Sequence, residues 1–137
     1  MDRLSQRLAI SRQALGTMSE ILAMNQSPVV RDAAIQRFEY TFESVWKAAQ
    51  LFQKQREGVE AGSPKGVIRA CFQGGILEES QARTAMEMAE DRNLTVHTYN
   101  EQLAEAIYAR LTGNAELMDR RLSAMERRMT EQAQNWK

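Results

Sequence analysis

Residues 35–52 have the sequence IQRFEYTFESVWKAAQLF, which is the most regular hydrophobic pattern of the chain. Its apolar members recur at steps of three and four residues, so they lie on one face of a helix. They are Ile35, Phe38, Phe42, Val45, Ala49 and Phe52. Ser27-Pro28 precedes the pattern and is typical of a helix start, because serine caps and proline fits the first helical position. We predict a helix over about 28–57.

Similar patterns on both sides predict further helices. An apolar stripe from Leu4 to Leu22 predicts a helix over about 2–24. Ser63-Pro64 predicts the start of a short helix over 64–73, which Gly74-Gly75 ends. A fourth helix is predicted over 79–91, with inner residues Ala82, Ala85, Met86 and Ala89. No segment alternates with period two, and the connections are short. The expected fold is therefore all-α, an antiparallel up-down bundle of about five helices.

The C-terminal third contains two further signals. Thr98-x-x-Glu101 has the pattern of a capping box, which predicts a helix that starts at Tyr99. Thr112-Gly113-Asn114 predicts a kink or break, and heptad steps from Ala115 to Met129 predict helix beyond it. The charges of this last part nearly balance. We interpret them, Arg120 and Arg121 included, as a solvated face.

Composition limits the classes of function. The chain has 137 residues, enough for one domain with a core, and its 18 basic and 18 acidic side chains cancel. That balance argues against strong non-specific binding to nucleic acid or membrane, so any RNA contact needs a local patch. Cys71 is the only cysteine, which excludes an internal disulfide and indicates a buried thiol. No signal-peptide pattern or membrane span is visible in the sequence, and the expected location is cytoplasmic.

The segment from Asp91 to Tyr99, DRNLTVHTY, contains the candidate catalytic residues. His97 is the only histidine, and one histidine with one cysteine is too few for a zinc site. Neither a Gly-x-Ser-x-Gly nucleophile elbow nor a glycine-rich phosphate loop is present. The sequence therefore predicts neither a metal nor a cofactor.

Arg92, Asn93 and His97 flank a predicted joint between two helices, where their side chains can converge. Such a trio suits RNA cleavage without metal, because imidazole can take the 2′-hydroxyl proton while guanidinium holds the phosphate. A structural alternative is that Arg92 pairs with Asp91 or Glu90 and that His97 only caps backbone. Spacing alone favours this alternative.

The second helix carries a polar stripe beside its apolar face. Gln36, Glu39, Glu43 and Lys47 recur at steps of three and four, and Tyr40 and Trp46 flank them. One interpretation is an exposed face with a Glu43–Lys47 pair. The other is a pocket near Arg92 or a partner surface, for which the candidate residues are Gln36, Arg37, Glu39, Tyr40, Glu43 and Trp46.

Several strings together resemble a known family. Arg92-(four residues)-His97-Thr98-Tyr99 resembles the R-x4-H-x-Y motif of the HEPN superfamily in its HepT branch. The likeness extends over residues 35–43 with Trp46-Lys47, over residues 63–69, and over residues 90–95. In this order the strings resemble the nucleotidyltransferase substrate-binding proteins, whose partner is a minimal nucleotidyltransferase (MNT). The match covers about residues 2–112. We therefore divide the chain into a HEPN-like bundle over 1–112 and a helical extension of the same domain over 113–137.

The resemblance implies a homodimer in which the R-x4-H segments meet near the two-fold axis. It also implies a toxin–antitoxin pair, in which the HEPN protein is a ribonuclease and the MNT partner is the antitoxin. In the HepT branch the antitoxin transfers AMP to the motif's tyrosine, here Tyr99. A dimer has its own chemical logic, because acid–base cleavage needs one group to take a proton and another to give one.

The sequence is compatible with three functions. The first is a metal-independent endoribonuclease, with Arg92, Asn93 and His97 as catalytic residues and RNA as substrate. The second is a non-catalytic substrate-binding subunit of a two-component nucleotidyltransferase, which the neutral net charge mildly favours. The third is a helical scaffold. The joint presence of Arg92, Asn93, His97 and Tyr99 favours the enzyme over the scaffold.

Overall fold

The computed structural model describes residues 2–135, which form five α-helices and no strand. The helices are α1 (Arg3–Leu22), α2 (Pro28–Arg56), α3 (Pro64–Gln73), α4 (Glu79–Leu94) and α5 (Glu101–Asn135). A single 3-10 turn, Thr95–His97, follows α4. The all-helical fold and the helix number agree with the sequence prediction. No helix within residues 2–135 is long and apolar enough to cross a membrane.

Local capping chemistry fixes most helix starts. Ser27 and Ser63 accept hydrogen bonds from the backbone of Val30 and Gly66, both at 3.1 Å. The proline that follows each serine stands at the start of the helix, where its missing N–H costs nothing. Both predicted helix starts are therefore confirmed.

The core lies where α2 packs against α1, α3 and α5. Phe38 and Phe52 of α2 are fully buried, and the rings of Phe38 and Phe42 lie 6.0 Å apart. Burying each of these rings stabilises the fold by about 2–3 kcal/mol. In α4 the inner face is Ala85, Met88 and Ala89, whereas the predicted Ala82 and Met86 are half-buried.

The predicted capping box at Thr98 is wrong. Helix α5 begins at Glu101, and Asn100 caps it by accepting from the backbone N–H of Leu103 at 3.1 Å. The Thr98 hydroxyl instead donates to the Thr95 carbonyl of the 3-10 turn. The Glu101 carboxylate is bound to buried Arg31 at 2.7 Å and is thereby withheld from the local backbone. Tyr99 consequently lies in a turn outside the helix.

The predicted break at residues 112–114 is also wrong, because α5 continues through them. Asn114 is buried and donates to Asp91 of α4 at 3.2 Å, so its side chain serves a tertiary contact instead of a local turn. Arg121, which we predicted to be solvated, is fully buried and donates to the Cys71 sulfur at 3.5 Å. The buried position predicted for Cys71 is confirmed.

The continuity of α5 can be tested at Gly113. An added Cβ there meets nothing within 4 Å, and the residue lies inside the helix. We expect Gly113→Ala to raise the free energy of unfolding by about 0.5–1 kcal/mol, because alanine restricts the unfolded chain and favours helix. Urea denaturation followed by circular dichroism measures the change.

Two other glycines provide the controls. Gly16 lies inside α1 with equally open space, so Gly16→Ala is expected to stabilise by a similar amount. Gly75 has a φ of 82°, so Gly75→Ala is expected to destabilise. A neutral or destabilising Gly113→Ala beside a stabilising Gly16→Ala would indicate a break in α5.

Candidate active site

The last turn of α4 is tied to α5 through the buried carboxylate of Asp91. Arg110 donates to Asp91 at 2.6 Å from Nη2 and at 3.0–3.1 Å from Nε, and Asn114 adds a third donor. The hydrogen bonds from Arg110 to Asp91 raise the pKa of the Arg110 guanidinium. Asp91 is 3% exposed, so this bridge fixes the α4 backbone from the core side.

Arg92 follows Asp91 directly and is oriented by different partners. Its Nε lies 3.4 Å from Oε1 of Glu43 on α2, and its Nη1 donates to the Thr95 hydroxyl at 3.2 Å. The same hydroxyl donates back to the Arg92 carbonyl at 2.7 Å. Trp46 donates its indole N–H to the other oxygen of Glu43 at 3.1 Å. Arg92 is thus held between two helices while its side chain stays 25% exposed.

These contacts show which carboxylates pair with the charged residues. Asp91 binds Arg110, and Glu90 binds Lys65, so the pairing of Arg92 with Asp91 or Glu90 is wrong. Within residues 2–135 the ion pair of Glu43 is with Arg92, and the Glu43–Lys47 pair of the surface interpretation is absent.

A cavity of about 380 Å³ opens beside Arg92. Its lining comes from α2, the start of α3 and the end of α4: Phe42, Glu43, Ser63, Pro64, Lys65, Ala89, Arg92 and Asn93. The structure therefore brings Arg92, Asn93 and Glu43 together. Its two cations, Arg92 and Lys65, are each ion-paired with a carboxylate, Glu43 and Glu90 respectively.

His97 and Tyr99 form a second group on the connection between α4 and α5. The Tyr99 hydroxyl lies 3.4 Å from Nδ1 of His97, and the two rings are nearly perpendicular. Both side chains are exposed, Tyr99 to 84%. Among residues 2–135 no hydrogen bond links His97 to Arg92 or Asn93. One chain thus presents two neighbouring groups, separated by Leu94, Thr95 and Val96.

The remaining candidates on α2 have different surroundings. Arg37 donates to the Thr17 carbonyl at 2.7 Å, and the Tyr40 hydroxyl is hydrogen-bonded to the Thr17 hydroxyl, so both contact α1. Gln36 is exposed and Glu39 is half-buried. Of the six α2 residues predicted as a pocket or partner surface, Glu43 contacts Arg92 and Trp46 orients Glu43.

Two site residues were missed in the sequence. Thr95 follows Arg92 by three residues, which is a spacing at which helical neighbours meet, so a local signal was available. Lys65 enters the cavity through tertiary packing and carries no local signal. Within the described part of the chain, no cluster of three or more histidine, cysteine or acidic residues is placed to hold a metal ion.

Comparisons with known proteins identify the family. Residues 3–127 match the family described as nucleotidyltransferase substrate binding protein like. The chain belongs to this family, as the resemblance in the sequence indicated. No curated protein matches the chain.

Solved structures with a similar fold include the following three. A protein of Thermus thermophilus is 52% identical, with a TM-score of 0.82, and the alignment covers 84% of this chain and 98% of that one. A Shewanella oneidensis HEPN toxin, tri-AMPylated and in complex with its MNT antitoxin, is 14% identical with a TM-score of 0.75 and coverages of 92% and 98%. A Haemophilus influenzae protein has the fold of a substrate binding domain of a nucleotidyltransferase. It is 22% identical with a TM-score of 0.63 and coverages of 90% and 96%.

The anchoring role of Asp91 can be tested by an isosteric change. Asp91→Asn places an N–H group against the donors of Arg110 and Asn114, and Asn114 is buried. We expect the free energy of unfolding to fall by about 1–3 kcal/mol. This is less than for a fully buried ion pair, because Arg110 is partly exposed to solvent. Chemical denaturation measures it.

Glu90→Gln is the matched control, because Glu90 is the preceding residue and pairs with Lys65 at the surface. An exposed pair of this kind contributes about 0–1 kcal/mol. Equal losses in the two variants would contradict the anchoring role of Asp91.

Proposed function

We propose that this chain is the toxin of a toxin–antitoxin pair. It cleaves RNA without a metal ion, and a partner minimal nucleotidyltransferase neutralises it by transferring AMP to Tyr99. The observation that carries this proposal is the closeness of the Tyr99 hydroxyl to the exposed His97 imidazole, 3.4 Å away, on the connection that begins at Arg92. A modification of Tyr99 would stand directly beside the proposed general base. Cleavage of RNA and use of ATP by the partner both favour a cytoplasmic location.

The cleavage step assigns a role to each residue. The 2′-hydroxyl oxygen of the RNA attacks the adjacent phosphorus while His97 takes its proton. The bond from phosphorus to the 5′-oxygen breaks, which leaves a 2′,3′-cyclic phosphate and a 5′-hydroxyl. Arg92 holds the non-bridging phosphate oxygens, and the Asn93 amide hydrogen-bonds the substrate beside it. Glu43 keeps the guanidinium in place through the 3.4 Å contact.

The leaving 5′-oxygen needs a proton, and each chain has one histidine. We therefore propose a homodimer, in which the second His97 supplies it from the partner subunit. Exposed apolar side chains beside the 3-10 turn support an interface there. Leu94 is 37% exposed and Val96 67%, and such side chains gain stability when a second copy covers them.

A specific observation favours the non-catalytic alternative. Arg92 already has a carboxylate partner in Glu43 and a hydroxyl partner in Thr95, so its donors are partly occupied before any phosphate binds. A substrate-binding subunit would present Tyr99 to the nucleotidyltransferase and would need no such donors. The two functions differ in whether RNA is cleaved.

We expect the purified chain to cleave RNA in the presence of EDTA. Arg92→Ala and His97→Ala are expected to lower the cleavage rate by about 10²–10⁴-fold, because each removes a group that acts on the reacting phosphate or proton. The measurement is the initial rate of cleavage of labelled total RNA, with growth arrest on expression as a second readout.

Arg83→Ala serves as the control, since Arg83 is exposed on α4 and pairs with Glu79. It is expected to cleave at the parent rate, and all variants should keep the dimer mass in light scattering. Loss of cleavage in EDTA with recovery on adding a divalent ion would exclude the metal-independent mechanism. Unchanged toxicity of His97→Ala would favour the substrate-binding subunit.

Tyr99 is the expected site of AMP transfer. With ATP and the cognate nucleotidyltransferase, we expect the phenol oxygen of Tyr99 to attack the α-phosphorus and release pyrophosphate. Each transfer adds about 330 Da and a negative charge where an RNA phosphate must bind. Intact mass spectrometry should detect the addition, and the modified chain should lose cleavage.

Tyr99→Phe should not be modified, yet it should cleave RNA within a few-fold of the parent rate, because the hydroxyl is not the general base. Tyr40→Phe is the matched control on another exposed tyrosine and should still be modified. Addition of AMP to Tyr99→Phe but not to Tyr40→Phe would show that the acceptor is Tyr40 and not Tyr99.

A further inference from the structure

A second cavity, of about 590 Å³, lies between the first turns of α1, the C-terminal half of α2 and the loop after α2. Four cationic side chains and a single carboxylate line it, and we name it the basic cavity. Its lining residues are Arg3, Arg7, Lys47, Gln50, Leu51, Lys54, Glu60, Ala61 and Gly62. The cavity gives a chain of zero net charge a local positive site.

The walls of the basic cavity are fixed by hydrogen bonds. Gln50 donates its side-chain amide to the Ala61 carbonyl at 2.7 Å, which holds the loop against α2. The N–H of Val59 donates to the Gln53 carbonyl at 2.9 Å, and Gly58 makes the turn with a φ of 68°. The loop is thus bonded to α2 at both of its ends, and the cavity does not depend on a loose segment.

The cations of the basic cavity are poorly neutralised. Within residues 2–135 only Lys54 has a carboxylate within 4.0 Å, namely Glu60 at 3.9 Å, and both are largely exposed. Arg3 and Arg7 stand four residues apart on the same helix face, where like charges repel. They also lie in the first turns of α1, where the helix dipole disfavours positive charge. An anion in the cavity would offset both repulsions.

The lining also indicates which anion fits. No aromatic side chain is present, so the cavity offers no stacking platform for a base. Guanidinium and ammonium groups bind phosphate oxygens and carry no sequence information. The expected ligand is therefore a phosphodiester backbone whose bases point away.

Consecutive stretches of the chain line the basic cavity and the cavity at Arg92. Glu60, Ala61 and Gly62 line the first, and the next three residues, Ser63 to Lys65, line the second. On α2 the two linings follow each other from Glu43 to Lys54, a rise of about 16 Å. A strand that passes Arg92 can therefore continue along α2 into the basic cavity.

We propose that the basic cavity binds the phosphates of the single-stranded RNA that extends from the cleavage site. This inference rests on the proposed function. It explains how a protein of zero net charge holds RNA without a basic surface overall.

The test measures binding apart from cleavage. In a His97→Ala background, fluorescence anisotropy follows oligo(A) and oligo(U) RNAs of about 12 nucleotides at several salt concentrations. Arg7→Ala/Lys47→Ala removes one cation from each side of the cavity. It should weaken binding at low salt at least about tenfold and lower the slope of log Kd against log salt by about 1.4. Both RNAs should respond alike, because no base is read.

Arg83→Ala/Arg120→Ala is the matched control, since it removes two exposed cations that line neither cavity. It should bind within about twofold of the parent, and thermal unfolding should confirm that both double variants are folded. An unchanged affinity and salt slope in Arg7→Ala/Lys47→Ala would overturn the inference. Displacement of the RNA by equimolar ATP or inorganic phosphate would also overturn it and indicate a small-anion site. So would loss of nucleotidyltransferase binding without loss of RNA binding, which would indicate an acidic protein surface as the ligand.

The outcome for the proposed function is read separately, with His97 present. If the chain binds RNA through the basic cavity but does not cleave it, this inference is supported and the proposed ribonuclease function is contradicted. If the parent chain cleaves RNA and Arg7→Ala/Lys47→Ala binds RNA as tightly as the parent, the ribonuclease function is supported and this inference is contradicted.

Discussion

The bridge from Asp91 to Arg110 and Asn114 is the constraint on which the site depends. Successive residues on a helix point about 100° apart, so an Asp91 side chain fixed in the core determines where Arg92 projects. The same bridge holds α5 against α4 and so sets both ends of the connection that carries His97 and Tyr99. A buried carboxylate is tolerated here because three donors bind it.

Much of the fold could be predicted because its signals are local. The spacing of apolar residues and the two Ser-Pro pairs gave four helices with nearly correct ends. The errors lie where a tertiary contact takes a side chain away from its local role. Glu101 binds Arg31, 70 residues away in the chain, instead of closing a capping box. Asn114 binds Asp91 instead of ending a helix.

The site divides in the same way. The candidates Arg92, His97 and Tyr99 were chosen because their spacing resembles the motif of a family, and their roles remain a proposal. The contact of Arg92 with Glu43, and the entry of Lys65 into the cavity, depend on how α2, α3 and α4 pack, which no local pattern records. Arg121 was misjudged for a related reason. A charged residue among other charges predicts a surface, yet packing places it in the core beside Cys71.

The contact between Arg121 and Cys71 has a consequence for how the fold opens. Cys71 carries the single thiol of the chain, and both the Arg121 guanidinium and the Gln53 amide donate to its sulfur from neighbouring helices. A reagent can reach that sulfur only when α3 separates from α2 and α5. The rate of thiol labelling under native conditions therefore measures how often the core opens, and no engineered probe is needed.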